Sequence, residues 1–209
     1  MKILNLYAGI GGNRKLWGNE HEITAVEWDE ETAKVYSHYF PNDKMVVGDA
    51  HQYLLDHYKE FDFIWSSPPC PTHSILNRSN HGLGRPVKYP DMSLYQEIIL
   101  LYTWFDGKYC IENVIPYYEP LIPPTKKLHR HYYWTNFKMS NFEDYNKDRI
   151  HTKVTWKDTL YGFNVVDSNI DDKRKALRNM VDPALGLHIL NAAQNIITKS
   201  DTEQGVLFQ

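Results

Sequence analysis

Short apolar runs alternate with amphipathic ones through the first two-thirds of the chain, a pattern that favours repeated β-α-β units around a mostly parallel sheet. Lys2-Ile3-Leu4-Asn5-Leu6-Tyr7 reads as a strand, followed by Ala8-Gly9-Ile10-Gly11-Gly12 and a helix from Asn13 to Trp17. A second strand runs from His21 to Trp28, and Asp29 caps a helix reaching about Phe40, with Glu30 and Glu31 matched to the dipole of its first turn. Met45 to Asp49 is a short third strand, Gln52 to Tyr58 a helix, and Phe61 to Trp65 the fourth strand. Asp91 to Trp104 has helical period, and Lys108 to Asn113 is a fifth strand.

Between Ser66 and Asp91 lies a long segment without regular structure, with Gly82, Gly84, Pro86 and Pro90; loops of that length commonly serve as lids. After Val114, the prolines at 116, 120, 123 and 124 separate this α/β core from the remainder of the chain. Lys126 to Phe137 reads as one strand, Asn141 to Asp167 as an irregular insertion, and Arg174 to Ile197 as a turn and a closing helix. At 209 residues the chain suits one α/β domain with a small appendage, and 42% hydrophobic residues suffice for its core.

A formal net charge of −3 excludes a global electrostatic attraction to nucleic acid. Such binding would need local basic surface, for which Lys126-Lys127-His129-Arg130-His131, Lys147–Lys153 and Lys173-Arg174-Lys175-Arg178 are the candidates. For any one of these clusters a solvated charged face is the favoured reading. Two cysteines argue against a disulfide scaffold and suit a reducing compartment. No run has the apolar length of a membrane span, so a soluble, cytoplasmic protein is expected, with no membrane partner.

Open parallel sheets bind ligands at the carboxyl ends of their strands, and those ends carry reactive groups here. Gly9, Gly11 and Gly12 let a ligand approach the backbone, although their spacing is not the dinucleotide G-x-G-x-x-G. Glu27 is suited to accept from both hydroxyls of a ribose, Trp28 to lie against an adenine face, and Asp49 to accept from an exocyclic amine. The alternatives are core filling for Trp28 and helix capping for Asp49. After the fourth strand, Ser66-Ser67-Pro68-Pro69-Cys70 presents a thiol on a loop stiffened by two prolines. With Glu112-Asn113 at the end of the fifth strand it makes a nucleophile and acid pair. A buried, inert Cys70 and a Glu112 that merely bonds a loop are the competing readings.

Taken in order, Tyr7-Ala8-Gly9-Ile10-Gly11-Gly12, Glu27-Trp28, Gly48-Asp49, Ser67-Pro68-Pro69-Cys70 and Glu112-Asn113-Val114 resemble the motifs of DNA (cytosine-5) methyltransferases, in a compact, phage-type form. The resemblance implies a Rossmann-like S-adenosylmethionine-dependent methyltransferase fold with a mostly parallel central sheet and a small C-terminal recognition insertion. It divides the chain into a core over 1–137, a reduced target-recognition segment over 138–172, a returning segment over 173–200 and a disordered tail over 201–209. It implies S-adenosylmethionine near Tyr7, Gly9 and Gly11, with its ribose at Glu27 and its adenine at Trp28 and Asp49. Ala8, Ile10, Gly12, Ala50, Pro68, Asn179 and Val181 would complete that site, and no metal is expected.

By the same resemblance Cys70 attacks C6 of a cytosine flipped from duplex DNA and Glu112 engages N3, supported by Pro69, Asn113 and Arg130; the same fold acting on RNA or a free nucleotide, and a catalytically silent cofactor-binding module, are the alternatives. Arg130 or a helix amino terminus would supply the field that favours the thiolate. Ser74, Asn77, Arg78, Asn80, His81, Lys127, Arg174 and Arg178 are the expected contacts to substrate and DNA. The chain departs from the family with Pro71 and His73 where a glutamine and an aromatic are usual, with Tyr132 at the place of a second arginine after Arg130, and with Arg178 in place of a glycine. Finally, Gln204-Gly205-Val206-Leu207-Phe208 resembles peptides bound by bacterial sliding clamps, beside the stronger reading of a plain disordered terminus.

Overall fold

The computed structural model describes residues 1–86, 88–142 and 161–196. The Lys147–Lys153 cluster and the clamp-like tail lie outside them. The described strands form one seven-stranded sheet in the order β3-β2-β1-β4-β5-β7-β6. These are β1 (Lys2–Leu6), β2 (Glu22–Glu27), β3 (Lys44–Val47), β4 (Phe63–Ser66), β5 (Lys108–Val114), β6 (Lys126–Leu128) and β7 (His131–Thr135). β1 to β5 pair in parallel, whereas β7 runs antiparallel to both β5 and β6. Chain order reverses direction across the sheet between β1 and β4, which opens a crevice at their carboxyl ends.

Alternate residues of the central strands go to opposite faces. Leu4, Leu6, Ile64 and Ile111 pack under α2 (Ala50–His57) and α4 (Ser93–Trp104). Ile3, Phe63, Trp65 and Cys110 pack with Trp17 and with Leu185, Ile189 and Leu190 of α6 (Pro183–Ala193). Fully buried strands of this kind read as unbroken apolar runs, as Phe63-Ile64-Trp65 does.

The structure redraws four parts of the sequence reading. Asn13–Leu16 is a 3-10 turn, too short for an α-helix. The segment after Cys70 contains a helix, α3 (Ile75–Gly82), where no regular structure is expected from sequence. The single strand expected over 126–137 is a hairpin, because His129 takes φ +52° and turns the chain between β6 and β7. Within 138–172, Phe163, Val165 and Ile170 are core residues packed against Tyr36 and Phe40 of the α1 (Glu30–Tyr39) region, and α5 (Lys173–Arg178) comes directly after them. Among the described residues no helix is long and apolar enough to cross a membrane, and no cluster of potential metal ligands occurs.

Candidate active site

The cofactor side of the crevice is built by three consecutive strand ends. Glu27, the last residue of β2, accepts from the Gly9 N–H at 2.8 Å and from the Asp29 N–H at 3.0 Å. Its two oxygens are thereby fixed in direction, and each keeps lone-pair capacity for a hydroxyl. Trp28 beside it is 76% exposed, so it does not fill the core. Asp49 caps α2 through one oxygen, Oδ1, which accepts from His51 N and Gln52 N. The capping reading is therefore present, and Oδ2 has no partner among the described residues. Ala50 is buried beneath.

The three glycines do different work. Gly9 has φ +55° and open space where a Cβ would stand. A Cβ on Gly11 would strike the Phe40 ring, and one on Gly12 would strike Met180 Cγ and the Val181 carbonyl oxygen. Gly11 and Gly12 are thus small for packing, and Gly12 docks the Asn179–Val181 segment against the loop after β1. Ala8 and Ile10 are buried in that same packing.

Behind these strand ends lies a carboxylate that the sequence reading missed. Glu97, on α4, is 0% exposed; it accepts from Tyr7 Oη (2.6 Å) and Ser66 Oγ (2.6 Å) and meets His51 Nδ1 at 3.0 Å. It joins the ends of β1 and β4 to the start of α2. The bond to Glu97 raises the His51 pKa against the opposing effect of burial, and burial with the Glu97 charge raises that of Tyr7 well above its usual range. A signal was available: Leu94, Glu97, Ile98 and Leu101 form one buried stripe at helical spacing, and a charge on such a stripe demands partners.

The thiol side is set by where β4 stops. Ser66 pairs with Ile111, after which Pro68 and Pro69 offer no backbone donor and β4 ends. β5 continues to Val114 on the support of β7, with Glu112, Asn113 and Val114 opposite Tyr133, Tyr132 and His131. Asn113 Nδ2 donates to the Pro68 carbonyl (2.9 Å), and the Asn113 Oδ1 accepts from Val114 N. The Cys70 carbonyl accepts from the N–H groups of His73 and Ser74, and His73, 1% exposed, reaches Tyr118 Oη at 2.6 Å. His73 therefore serves as a buried ring behind the Cys70 loop.

Both cysteines are free; Cys110 is buried and Cys70 half-buried. Burial, and then the Glu112 charge, raise the Cys70 thiol above its usual range, while its own N–H and Lys175 pull it down. Among the described residues, the side-chain cation whose charge favours the thiolate is Lys175, on α5. Arg130 is exposed in the β6–β7 turn and makes no side-chain hydrogen bond or ion pair among the described residues. The residue beside Glu112 is His131, with Nε2 3.4 Å from Oε1.

The expected DNA contacts are scattered. Arg78, Lys127, Arg174 and Arg178 are exposed, Asn80 accepts from Arg85 (3.1 Å), Ser74 Oγ donates to the Pro71 carbonyl (3.3 Å), and His81 lies on α3. Asn77 is 7% exposed and donates to the carbonyls of Thr72 and Lys88, closing this segment on itself.

The sequence profile of the C-5 cytosine-specific DNA methylases matches residues 1–114, more than half of the 209. The chain belongs to this family. The matched span ends with Val114 and so contains every strand end that carries Glu27, Asp49, Cys70 and Glu112. No curated protein sequence matches it. Among solved structures, a mutant DNMT2 of Spodoptera frugiperda is 28% identical, with 54% of this chain and 35% of that one covered and a TM-score of 0.39. The methyltransferase EhMeth of Entamoeba histolytica is 13% identical over 77% and 62% of the two chains, with a TM-score of 0.44. A TehB-like SAM-dependent methyltransferase of Corynebacterium glutamicum is 19% identical over 54% of each, with a TM-score of 0.35. This family member spans about a third of the DNMT2 chain.

The family's methyl donor is S-adenosylmethionine, and the residues present fit it. The oriented Glu27 carboxylate, the exposed Trp28 face and the open space at Gly9 meet at the ends of β1 and β2, with Asp49 just past β3.

Proposed function

We propose that this chain methylates C5 of a cytosine in DNA, using S-adenosylmethionine and a transient bond from Cys70 to the base. The observation that supports this best is the placement of Cys70 just past β4 and of Glu112 on β5, neighbouring parallel strands of the sheet. C5 and C6 are covered in a stacked duplex, so the reading requires the base to swing out into the crevice.

Cytosine C5 is too weak a nucleophile to take a methyl group from a sulfonium unaided. Addition of the Cys70 thiolate forms an S–C6 bond and shifts the C5–C6 π pair toward C5. Glu112, sharing a proton with N3, takes up the charge that would collect there. Bound S-adenosylmethionine supplies the electrophilic methyl group. Removal of the C5 proton then restores the double bond and expels Cys70 as thiolate. Glu27, Trp28 and Asp49 hold ribose and adenine, and Asn113 with Pro69 fixes the thiol's approach. In this reading α3 is the lid over the base, presenting Arg78 and Asn80. Lys127, Arg174 and Arg178 meet phosphates, so affinity falls steeply with salt. Target recognition falls to 138–172 apart from its core residues Phe163, Val165 and Ile170, a short segment that implies a short or relaxed recognition sequence.

The test is methyl transfer from labelled cofactor to duplex DNA, RNA and free nucleotide, with Cys70→Ser as control. A duplex bearing 5-fluorocytosine should trap a covalent adduct with the wild type and none with Cys70→Ser. Transfer to RNA alone would reassign the substrate, and transfer that survives Cys70→Ser would end the covalent mechanism.

A further inference from the structure

Which group steadies Glu112 is decided by strand parity. Glu112 lies opposite Tyr133 on β7, so the side chains of Glu112, Tyr133 and the diagonal neighbour His131 share one face of the sheet. Tyr132, opposite Asn113, belongs to the other face, and its ring packs against the cluster under α2 and α4. Arg130 precedes β7 in the hairpin turn. The only ion-pair contact of Glu112 among the described residues is the one to His131 Nε2, at 3.4 Å.

We propose that His131 is the positioning residue for Glu112, holding the carboxylate by Oε1 so that its other oxygen faces the base. The inference rests on the reading of Glu112 given above. His131 touches Oε1, which leaves Oε2 for the pyrimidine N3. Nε2 approaches from the same face of the sheet as Glu112 and so fixes the direction in which the carboxylate is presented. Around His131, β5 presents Glu112; on β6 Leu128 lies opposite it, and Lys126, diagonal to it on the same face, bonds Asn141 Oδ1; Tyr133 is the neighbouring phenol on β7. Lys175 acts on Cys70 from α5. Loss of the His131 contact should therefore slow the addition step, because Glu112 is then free to turn away from the base.

The experiment is kcat and KM on duplex DNA for wild type, His131→Gln, His131→Arg and Arg130→Gln. Cofactor binding by each variant serves as the control for folding. His131→Gln should lower kcat roughly 10- to 100-fold, the scale of a misplaced catalytic group, while the cofactor KM stays unchanged. His131→Arg, which can still donate to Glu112, should keep more of the rate, and this carries the test should the glutamine variant fold poorly. Arg130→Gln should lower kcat less than His131→Gln does. A wild-type rate in both His131 variants, or a larger loss in Arg130→Gln, overturns the proposal. The trapped 5-fluorocytosine adduct separates the two levels. Its absence in the wild type removes the parent reading, whereas equal adduct rates in wild type and His131→Gln remove only this inference.

Discussion

Asn113 Nδ2 donates to the carbonyl of Pro68 across 2.9 Å, joining the overhanging end of β5 to the loop that carries Cys70. Both residues are buried, so the bond has no water to replace it. Asn113→Ala should cost about 1–3 kcal/mol of stability by leaving that carbonyl unpaired, seen as a lowered melting temperature. It should also slow adduct formation on 5-fluorocytosine DNA by about 10-fold or more, because the thiol loses its register with the base. An unaltered adduct rate would show that the two prolines alone position Cys70.

Glu112 and Lys175 act on the Cys70 thiol in opposite senses. Removing the negative charge lowers the thiol pKa, and a lower pKa means more thiolate at any given pH. Glu112→Gln should therefore speed alkylation of Cys70 by iodoacetamide near neutral pH, and Lys175→Gln should slow it. Methyl transfer moves the other way for Glu112→Gln, falling by about 100-fold or more with loss of the acid. Alkylation rates followed against pH, with Cys110 buried and out of reach, check both signs.

Much of this site can be read from the sequence, for a local reason. Glu27, Asp49, Cys70 and Glu112 each lie at or just past an apolar strand, so one-dimensional order already places them at one sheet edge. Trp28 is ambiguous in sequence, since a tryptophan after a strand is as readily core as surface, and only its 76% exposure decides. The hairpin at His129 is hidden because a non-glycine residue holds the left-handed turn, with no Asn-Gly or Gly to mark it. That hides the parity assigning His131 to the face of Glu112. Helix α3 is short and polar, with Asn77 fastening it to Thr72 and Lys88, and such tertiary closure leaves no periodic trace. Glu97 escapes notice because a single charge in the apolar run Leu94 to Leu101 looks like a surface position until the stripe is counted.

Stability should fall as pH rises through the titration of His51. Its pKa is raised in the folded protein, chiefly by the bond to Glu97. The native state therefore keeps a proton that the unfolded chain has already released. The stabilisation is complete below the unfolded-state value of about 6.5 and is lost as pH passes the higher native one. Melting temperatures from about pH 6 to 9 should decline in the wild type and flatten in His51→Gln. Glu97→Ala is the harsher change: Tyr7, Ser66 and His51 lose their common partner in a buried site, at a cost of about 3–5 kcal/mol. A pH-independent melting temperature in the wild type would mean that His51 stays neutral beside Glu97.

Gly9 and Gly12 sit three residues apart in one loop and should respond differently to the same added methyl group. At Gly12 a Cβ meets the Val181 backbone, which cannot yield without undocking the Asn179–Val181 segment. Gly12→Ala should therefore destabilise the whole protein, by about 1–3 kcal/mol as for other overpacked sites, and weaken cofactor binding as a consequence. At Gly9 there is nothing within 4 Å, so the fold bears only the conformational cost of φ +55°, about 1–2 kcal/mol for a residue with a Cβ. The space that the methyl group enters is the one the cofactor needs. Gly9→Ala should thus lose more in cofactor affinity than in stability, and Gly12→Ala the reverse. Melting temperature and calorimetric cofactor titration, measured on both variants, give the two ratios. Equal ratios would show that the open space at Gly9 does not belong to the cofactor site.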